Sequence, residues 1–440
     1  MRVRFLHMAD CHLGYRQYNL RERFNDFGRA FFEVINIAIA EKVDFVLLAG
    51  DLFHKRAIDA LTLNQAVAAL ERLNAAKIPC IAVEGNHEHA YVDDFIGWMK
   101  FLALRQYIVL LDAPFHEGAA QLSPYVNRAG SYFDPVPGVR VHGLRYMGAA
   151  AKTAIGRYAQ ALETLPREEV AYTVFMTHAG LEGEVNEQVS AMSMADWSPL
   201  RPHADYVALG HIHKPYSREE WIHNPGSLEN CAADEATWHE RGYFLVEVDT
   251  AAEGVKHRAT LRTNRRRPFV RAALKTDLIQ APDALYAQAQ SLLERRRRDL
   301  GIRSGPASGL PDEERPVVEL TLYGVLPFAQ ADLETARLEE TARAIFNPLH
   351  AIVRNHTTGN TTAVEPGQTM NRTALERQIL ADLYRRDQRF APHSQDWARV
   401  ALSLKSLALE GASAEAILDE LSERMAQLRP DEIAPADETR

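Results

Sequence analysis

Hydrophobic positions in the first half of the chain fall into short continuous runs. Val3 to Met8, Val43 to Ala49, Ile78 to Val83, Tyr172 to Met176 and Asp205 to Leu209 are apolar or β-branched almost throughout. Runs of this length bounded by glycine predict strands covered on both faces. Between them the spacing changes to a helical one, over Phe24 to Ala40 and over Ala60 to Ala76, where Leu63, Val67, Leu70 and Leu73 recur on one face. The alternation predicts an α/β domain from residue 1 to about 267. Val139 to Leu144, Tyr243 to Val248 and His257 to Thr263 are further strand-like runs. They predict a second, largely antiparallel sheet beside the first.

The pattern breaks at Arg265-Arg266-Arg267-Pro268. Beyond it, Phe269 to Leu274, a helical stretch from Pro282 to Arg298 and Val317 to Tyr323 predict a small α/β module over residues 268–345, with a Gly/Pro/Ser-rich loop from Ser304 to Pro316. Residues 346–370, with Thr-Thr-Gly-Asn-Thr-Thr at 357–362, read as a linker. A capping box of Thr373 and Glu376 opens a helical segment over 371–428. Its first helix carries Leu375, Ile379, Leu380 and Leu383, its second Trp397, Val400, Ala401, Leu404 and Leu407, its third Ile417, Leu421 and Met425. A segment of that size makes a marginal core of its own, so its apolar face is a candidate docking surface. The acidic end, 429–440, reads as a solvated tail.

Composition narrows the class. Of 440 residues, 46% are hydrophobic and 25% charged, as in ordinary globular proteins with ample core. No run approaches the roughly 20 apolar residues of a membrane helix, and Met1 to Phe5 lacks the pattern of a secretory signal. Three scattered cysteines, Cys11, Cys80 and Cys231, argue against a disulfide framework and for a reducing cytoplasm. A net charge of −9 excludes a wholly basic surface but leaves room for a local groove with bound cations.

The chemistry sits where the apolar runs stop. Five polar clusters end five of them: Asp10-Cys11-His12, Gly50-Asp51-Leu52-Phe53-His54, Gly85-Asn86-His87-Glu88, Thr177-His178-Ala179-Gly180 and Gly210-His211-Ile212-His213. Open α/β sheets place ligands at such carboxyl ends of strands. Two divalent cations held roughly 3.5–4 Å apart need one bridging carboxylate with further donors on either side. Asp51 is the natural bridge. Asp10, His12 and one of the two late histidines complete one ion; Asn86, His178 and the other complete the second. Oxygen and imidazole donors without thiolate suit manganese, iron or zinc better than calcium or magnesium. His54 and His87 remain. His87 is assigned to the scissile phosphate and the leaving oxygen, His54 to an orienting or substrate-contacting role. Glu88 and His89 read as solvated surface, Cys11 as packing, and His7, His116, His142, His203 and His223 as structural.

These motifs, D-x-H, G-D-x-x-H, G-N-H-[DE], a lone histidine after a strand and G-H-x-H, resemble the calcineurin-like metallophosphoesterase superfamily over residues 1 to about 263. The resemblance implies a four-layer α/β/β/α sandwich with a di-metal centre. Asp10 to Gly14, Gly50 to His54, Gly210 to Pro215, Asn224-Pro225-Gly226-Ser227-Leu228-Glu229 and Arg267-Pro268-Phe269 are similar to the narrower group of SbcD-type DNA repair nucleases, the bacterial and archaeal counterparts of the eukaryotic meiotic-recombination-eleven protein. That likeness implies metal positions at Asp10, His12, Asp51, Asn86, His178, His211 and His213, with His54 and His87 as active-site histidines outside the ligand set. It implies manganese-dependent exonuclease and endonuclease action on double-stranded ends and single strands of DNA. A homodimer is implied as well, and a coiled-coil ATPase related to SbcC that docks on the C-terminal helices. Residues 268–345 take the place of that group's capping domain. Glu88 stands where many relatives carry aspartate.

Dimer contacts are expected from the phenylalanine-rich stretches Phe24 to Phe32 and Phe95 to Leu104, and phosphate contacts from Arg16, Arg21 and Arg23 or from Arg265 to Arg267. Arg295 to Arg298 reads as a solvated helix end favoured by the helix dipole. The alternative is a phosphodiesterase or phosphatase for small molecules built on the same metals, which would need neither cap nor docking segment.

Overall fold

The structure, a computed structural model, describes residues 1–88, 96–166, 169–184, 191–302, 311–359, 372–385, 390–409 and 412–428. It divides into two compact units, 1–360 and 361–440.

The first unit is built on two six-stranded sheets. In chain order the principal strands are β1 (Arg2–Met8), β2 (Phe45–Leu48), β3 (Cys80–Ala82), β4 (Val109–Leu110), β5 (Tyr132–Val136), β6 (Val139–Leu144), β7 (Tyr172–His178), β8 (Tyr206–Gly210), β9 (Tyr216–Arg218), β10 (Ile222–Asn224), β11 (Gly242–Asp249) and β12 (His257–Thr263). The first sheet runs β12-β11-β1-β2-β3-β4 and the second β9-β10-β8-β7-β6-β5. Each has a parallel centre: β1, β2, β3 and β4 pair in parallel, as do β6, β7, β8 and β10.

The predicted second sheet therefore needs correction. Tyr243–Val248 and His257–Thr263 do not form it with Val139–Leu144. They are β11 and β12, which extend the first sheet antiparallel to β1, while the apolar runs at 172 and 205 supply the second. Continuous apolar composition shows that a strand is buried on both faces. It carries no information on which of two stacked sheets the strand joins.

Pleating assigns the layers. Phe5, Phe45, Leu47 and Ile81 point inward to meet Val141, Val174, Met176, Tyr206 and Ala208 of the opposite sheet. Their neighbours Leu6, Met8, Val46 and Leu48 point outward onto Phe31, Val34 and Ile35 of α1 (Arg21–Ala40) and Leu70 of α2 (Ala60–Ala75). On the far side, Leu144, Phe175, Val207 and Leu209 pack on Ile155 and Tyr158 of a helix over Ala151–Thr164. The period-two alternation of a strand thus yields three apolar interfaces and the expected α/β/β/α layering.

Phe24, Phe27 and Phe31, expected near a dimer surface, are buried on the core side of α1. In the other expected dimer stretch, Ile96 and Leu104 are exposed and Phe95 lies outside the described residues.

Beyond Pro268, β13 (Phe269–Lys275), β14 (Val317–Leu326) and β15 (His350–Gly359) form a parallel three-stranded sheet. Helices Pro282–Asp299 and Thr335–Phe346 cover it through Leu285, Leu293, Leu338 and Phe346. The linker expected over 346–370 is overturned in its first part, since residues 350–359 pair with β14 along the whole of β15. Polar Asn and Thr at 355–358 gave the impression of a loop, yet threonine is a strand former and this is an edge strand, half-exposed on alternate residues. Residues 360–370 lie outside the described residues.

The second unit contributes helices Arg372–Arg385, Ser394–Leu409 and Ala414–Leu428. Trp397, Ala398, Val400 and Ala381 are buried, whereas Ile379, Leu383, Leu409, Leu418 and Met425 are exposed. The side chains of the Thr373–Glu376 capping box fall partly outside the described residues, as does the tail after 428. Among the described residues no helix is long and apolar enough to cross a membrane.

Candidate metal centre

All five clusters meet at one end of the sandwich, where β1, β2 and β3 of one sheet and β7 and β8 of the other stop. An isolated bridge between Leu13 and Phe53 and a set of loop hydrogen bonds stitch the first two together: Asp10 N donates to Gly50 O at 3.1 Å and His12 N to Asp51 O at 3.0 Å. Across the sheets, His211 N donates to both carboxylate oxygens of Asp10 at 3.1 Å.

Asp10, His12, Asp51 and His211 have φ of 52°, 48°, 53° and 85°, all left-handed. Each such non-glycine residue costs on the order of 1–3 kcal/mol and persists only where its surroundings hold it. Four of them in one pocket mark where the fold spends stability to aim side chains. Gly85 matters for the same reason: a Cβ there would overlap the carboxylate and backbone N of Asp51.

The donors converge around Asp51, which is 2% exposed. On one side, His12 Nε2 lies 3.9 Å from Asp51 Oδ2 and 3.0 Å from His213 Nε2, with Asp10 Oδ1 3.9 Å from the same His213 nitrogen. On the other, His178 Nε2 is 3.3 Å from Asp51 Oδ2, and Asn86 Oδ1 is 3.1 Å from His178 Nε2 and 3.0 Å from His211 Nδ1. The seven expected ligands are thus brought together in two groups that share Asp51. Asp10, His12 and Asp51 offer atoms within 4.8 Å of one another, as do His12, His54 and His87, and His12, His213 and Cys231. The donor chemistry fits cations: lone-pair atoms face each other and two carboxylates sit among imidazoles, while Cys231, whose sulfur comes within 4.8 Å of the His12 and His213 donor atoms, is kept a neutral thiol by burial, which pushes it up to about 11.

Electrostatics agree. Burial and proximity to Asp51 push Asp10 up to about 6, with His178 and His213 opposing. His178 would be lowered by burial, but Asp51 beside it raises it to about 9. Burial lowers His211 to about 3 and holds His12 well below the usual imidazole range, leaving both as neutral donors. Each partner shifts the other because buried charges are compensated only by one another. A pair of cations would supply the missing positive charge.

Behind the ligands, His178 Nδ1 donates to Ala49 O at 2.7 Å, which turns Nε2 to the centre. His87 is fixed the same way, Nδ1 bonded to His54 O at 2.7 Å, with Nε2 3.9 Å from Asp51 Oδ2 and its backbone N donating to Asp51 Oδ1 at 3.1 Å. It is half-buried and faces the pocket. His54 stands a layer back: its Nδ1 is 3.4 Å from His12 Nδ1 and its ring stacks on Tyr15 at 3.8 Å. Burial lowers it to about 4.

Two expectations fail. Arg23 is not a phosphate contact; it is fully buried and donates to Gln17, Asp26, Glu229 and the carbonyl of Asn230. A short loop between Arg16 and a helical face placed all three arginines near the site by sequence, but helical phase turns Arg21 out and Arg23 in. Arg267 is also buried, paired with Asp26 at 2.6 Å and with carbonyls of residues 312 and 315. Arg16 and Arg21 are exposed, and Arg16 pairs with Asp59 at 3.2 Å.

Glu88 was read as solvated surface and is 4% exposed. Its carboxylate accepts from Gly85 N at 2.9 Å, Phe53 N at 2.9 Å and Asp51 N at 3.2 Å, clamping the second and third clusters. Burial and the Asp51 charge push it up to about 8. Three backbone donors and no acceptor favour its ionised form, and cations over Asp51 would relieve the push. Glu235 and Arg241, buried beside His213, were missed altogether; they follow no motif, and only the fold brings them there. His89 lies outside the described residues.

Comparison with known proteins converges on the same region. The family described as calcineurin-like phosphoesterase matches residues 3–215, which hold the seven expected metal ligands together with His54 and His87. "DNA double-strand break repair protein Mre11" of Haloferax volcanii is 32% identical over 279 residues, 63% of this chain and 55% of that one. Proteins of the same name from Archaeoglobus fulgidus and Aeropyrum pernix are 30% and 29% identical, covering 53% and 48% of this chain and 52% and 49% of their own. The chain spans about half the length of these curated relatives.

Proposed function

We propose that the chain, which matches calcineurin-like phosphoesterases over residues 3–215 and is similar to the Mre11 proteins of Haloferax volcanii and Archaeoglobus fulgidus over 63% and 53% of its length, is a di-metal phosphodiesterase that cleaves DNA at broken ends. The observation that carries the proposal is the convergence of seven donors from five loops in two groups sharing Asp51. Asp10, His12, Asp51 and His213 would hold one divalent cation; Asp51, Asn86, His178 and His211 the other. When bound, such a pair supplies an activated water and stabilises the attacking and leaving oxygens of a phosphodiester. The mixed oxygen and imidazole set favours manganese.

The chain's own groups do the rest. Asp51 stays ionised, because neighbouring imidazoles offset its burial and hold it below the usual carboxylate range. His87 Nε2, aimed at the pocket by the bond to His54 O, is placed to donate a proton to the leaving oxygen. His54 keeps the His12 ring in its plane and is an orienting group. Exposed Arg16 and Arg21, just beyond the first cluster, would meet backbone phosphates, so binding should weaken with salt.

The module of β13–β15 acts as a cap on the nuclease domain. It is anchored by the Arg267–Asp26 pair and by Tyr18 stacked on His350 at 4.4 Å. The helical unit, with Ile379, Leu383, Leu409, Leu418 and Met425 exposed, docks on a coiled-coil ATPase, and two chains form a dimer. The site of action is the cytoplasm that holds the chromosome.

The test is degradation of linear DNA by the purified chain with Mn²⁺. His87→Ala should abolish cleavage by about 10²–10⁴-fold while leaving metal binding intact. Hydrolysis of cyclic nucleotides with DNA untouched, with or without an ATPase partner, would favour a small-molecule enzyme instead.

A further inference from the structure

Between β10 and β11 the chain folds back under His213, and it carries there a buried carboxylate that no motif announced. Glu235 is 5% exposed. Its Oε1 accepts from His213 Nδ1 at 2.7 Å. Its Oε2 accepts from Arg241 Nη1 at 2.6 Å, Cys231 N at 3.0 Å and Ser227 Oγ at 3.2 Å. Arg241 is itself fully buried and also donates to Ser227 Oγ at 2.7 Å and to Asn230 Oδ1. One oxygen of Glu235 is thus committed to three donors, and the other is left with a single task.

That task has a geometric consequence. With Nδ1–H given to Glu235, the only lone pair His213 can present to the centre is on Nε2, 3.0 Å from His12 Nε2 and 3.9 Å from Asp10 Oδ1. The other late imidazoles are set by different means. His178 leans on a backbone carbonyl, and His211 turns Nδ1 itself to Asn86. A carboxylate behind a metal-facing imidazole fixes its tautomer and plane and makes the ring a stronger donor.

We infer that Glu235, locked by Arg241, is a positioning residue for His213 and sets the affinity of the cation on the His12–His213 side of Asp51. The inference rests on the di-metal reading above and adds an asymmetry to it: one cation site depends on a distant carboxylate, the other does not.

The experiment is a Mn²⁺ titration of the full chain, followed by calorimetry and by electron paramagnetic resonance, for wild type, Glu235→Ala, Glu235→Gln, His213→Ala and the double variant. Removing such a partner weakens metal binding by about 10–100-fold. Glu235→Ala should therefore lose one of two ions by that factor, keep the other within about threefold, and convert the spin-coupled pair signal to a mononuclear one. Glu235→Gln keeps an acceptor for Nδ1–H and should fall between. In the His213→Ala background, adding Glu235→Ala should change nothing further, because the positioned ring is gone. Equal weakening of both ions, added loss on top of His213→Ala, or wild-type binding in Glu235→Ala overturns the inference. Should Glu235→Ala fail to fold, the Gln variant carries the same comparison, with its fold checked by circular dichroism. A wild-type chain that binds no Mn²⁺ overturns the di-metal reading and the inference with it; a wild type that binds two while Glu235→Ala and Glu235→Gln lose neither overturns the inference alone.

Discussion

Glu88 offers the sharpest test of how the loop clusters are held together. Its two oxygens satisfy three backbone donors, those of Gly85 and Asp51 on Oε2 and that of Phe53 on Oε1, at 2.9, 3.2 and 2.9 Å. Glu88→Ala strands all three in a site closed to solvent. A buried donor left without a partner costs about 1–3 kcal/mol, so three, partly relieved by water in the vacated space, should cost about 3–5 kcal/mol. Glu88→Gln behaves differently. Its carbonyl can take the Oε2 position and keep two of the bonds, but its amide then faces Phe53 N–H donor to donor, for about 1–3 kcal/mol. With roughly 2–4 °C of melting temperature per kcal/mol for a domain of this size, Ala should lower the transition by roughly 6–20 °C and Gln by clearly less. Differential scanning calorimetry with saturating Mn²⁺ and without it measures both, and the loosened Asp51 and Asn86 loops should also weaken metal binding. Equal melting for wild type and Glu88→Ala, or a Gln variant worse than Ala, would show that these bonds do not hold the clusters.

Two further outcomes follow from buried groups. Arg267→Ala breaks a bidentate pair with Asp26 in which both side chains are at most 1% exposed, and should destabilise the chain by about 3–5 kcal/mol; limited proteolysis should then release residues beyond 267 as a fragment, and a wild-type digestion pattern would refute the anchoring role. His7 and His223 are lowered by burial to about 3, His223 also by its histidine neighbours. Their unfolded value is near 6.5, so between about 6.5 and 3 the unfolded chain binds the more protons and stability falls as pH falls. Urea midpoints should drop by the equivalent of roughly 2–4 kcal/mol from pH 6.5 to 5, and His223→Gln should flatten that slope; an unchanged slope would exclude it from the acid response.

What the sequence revealed and what it hid have separate physical causes. The five loop clusters were legible because strand ends, glycines and candidate metal donors are local: Gly50 next to Asp51 and Gly85 next to Asn86 are written in adjacent letters. The partition of strands between sheets was not, because β11 pairs with β1 from Arg2↔Asp249 to His7↔Phe244, across more than half of the chain, and nothing near Tyr243 encodes that partner. Long-range ionic pairs were hidden for the same reason. Arg267 looks like a surface cation until the fold delivers Asp26 to it, and Arg23, whose Asp26 partner is only three residues on, until the fold brings Glu229 and Asn230 over it. Glu88 was misread for want of its setting, since a carboxylate beside a histidine motif has the composition of a solvated turn. Only the three converging N–H groups show that it is a clamp.

The measurement that bears most directly on the central claim is anomalous diffraction from crystals soaked in Mn²⁺. Two peaks should flank Asp51, one beside Asp10, His12 and His213 and the other beside Asn86, His178 and His211. A single peak touching none of the histidines at 178, 211 and 213, or no peak in the pocket, would contradict it.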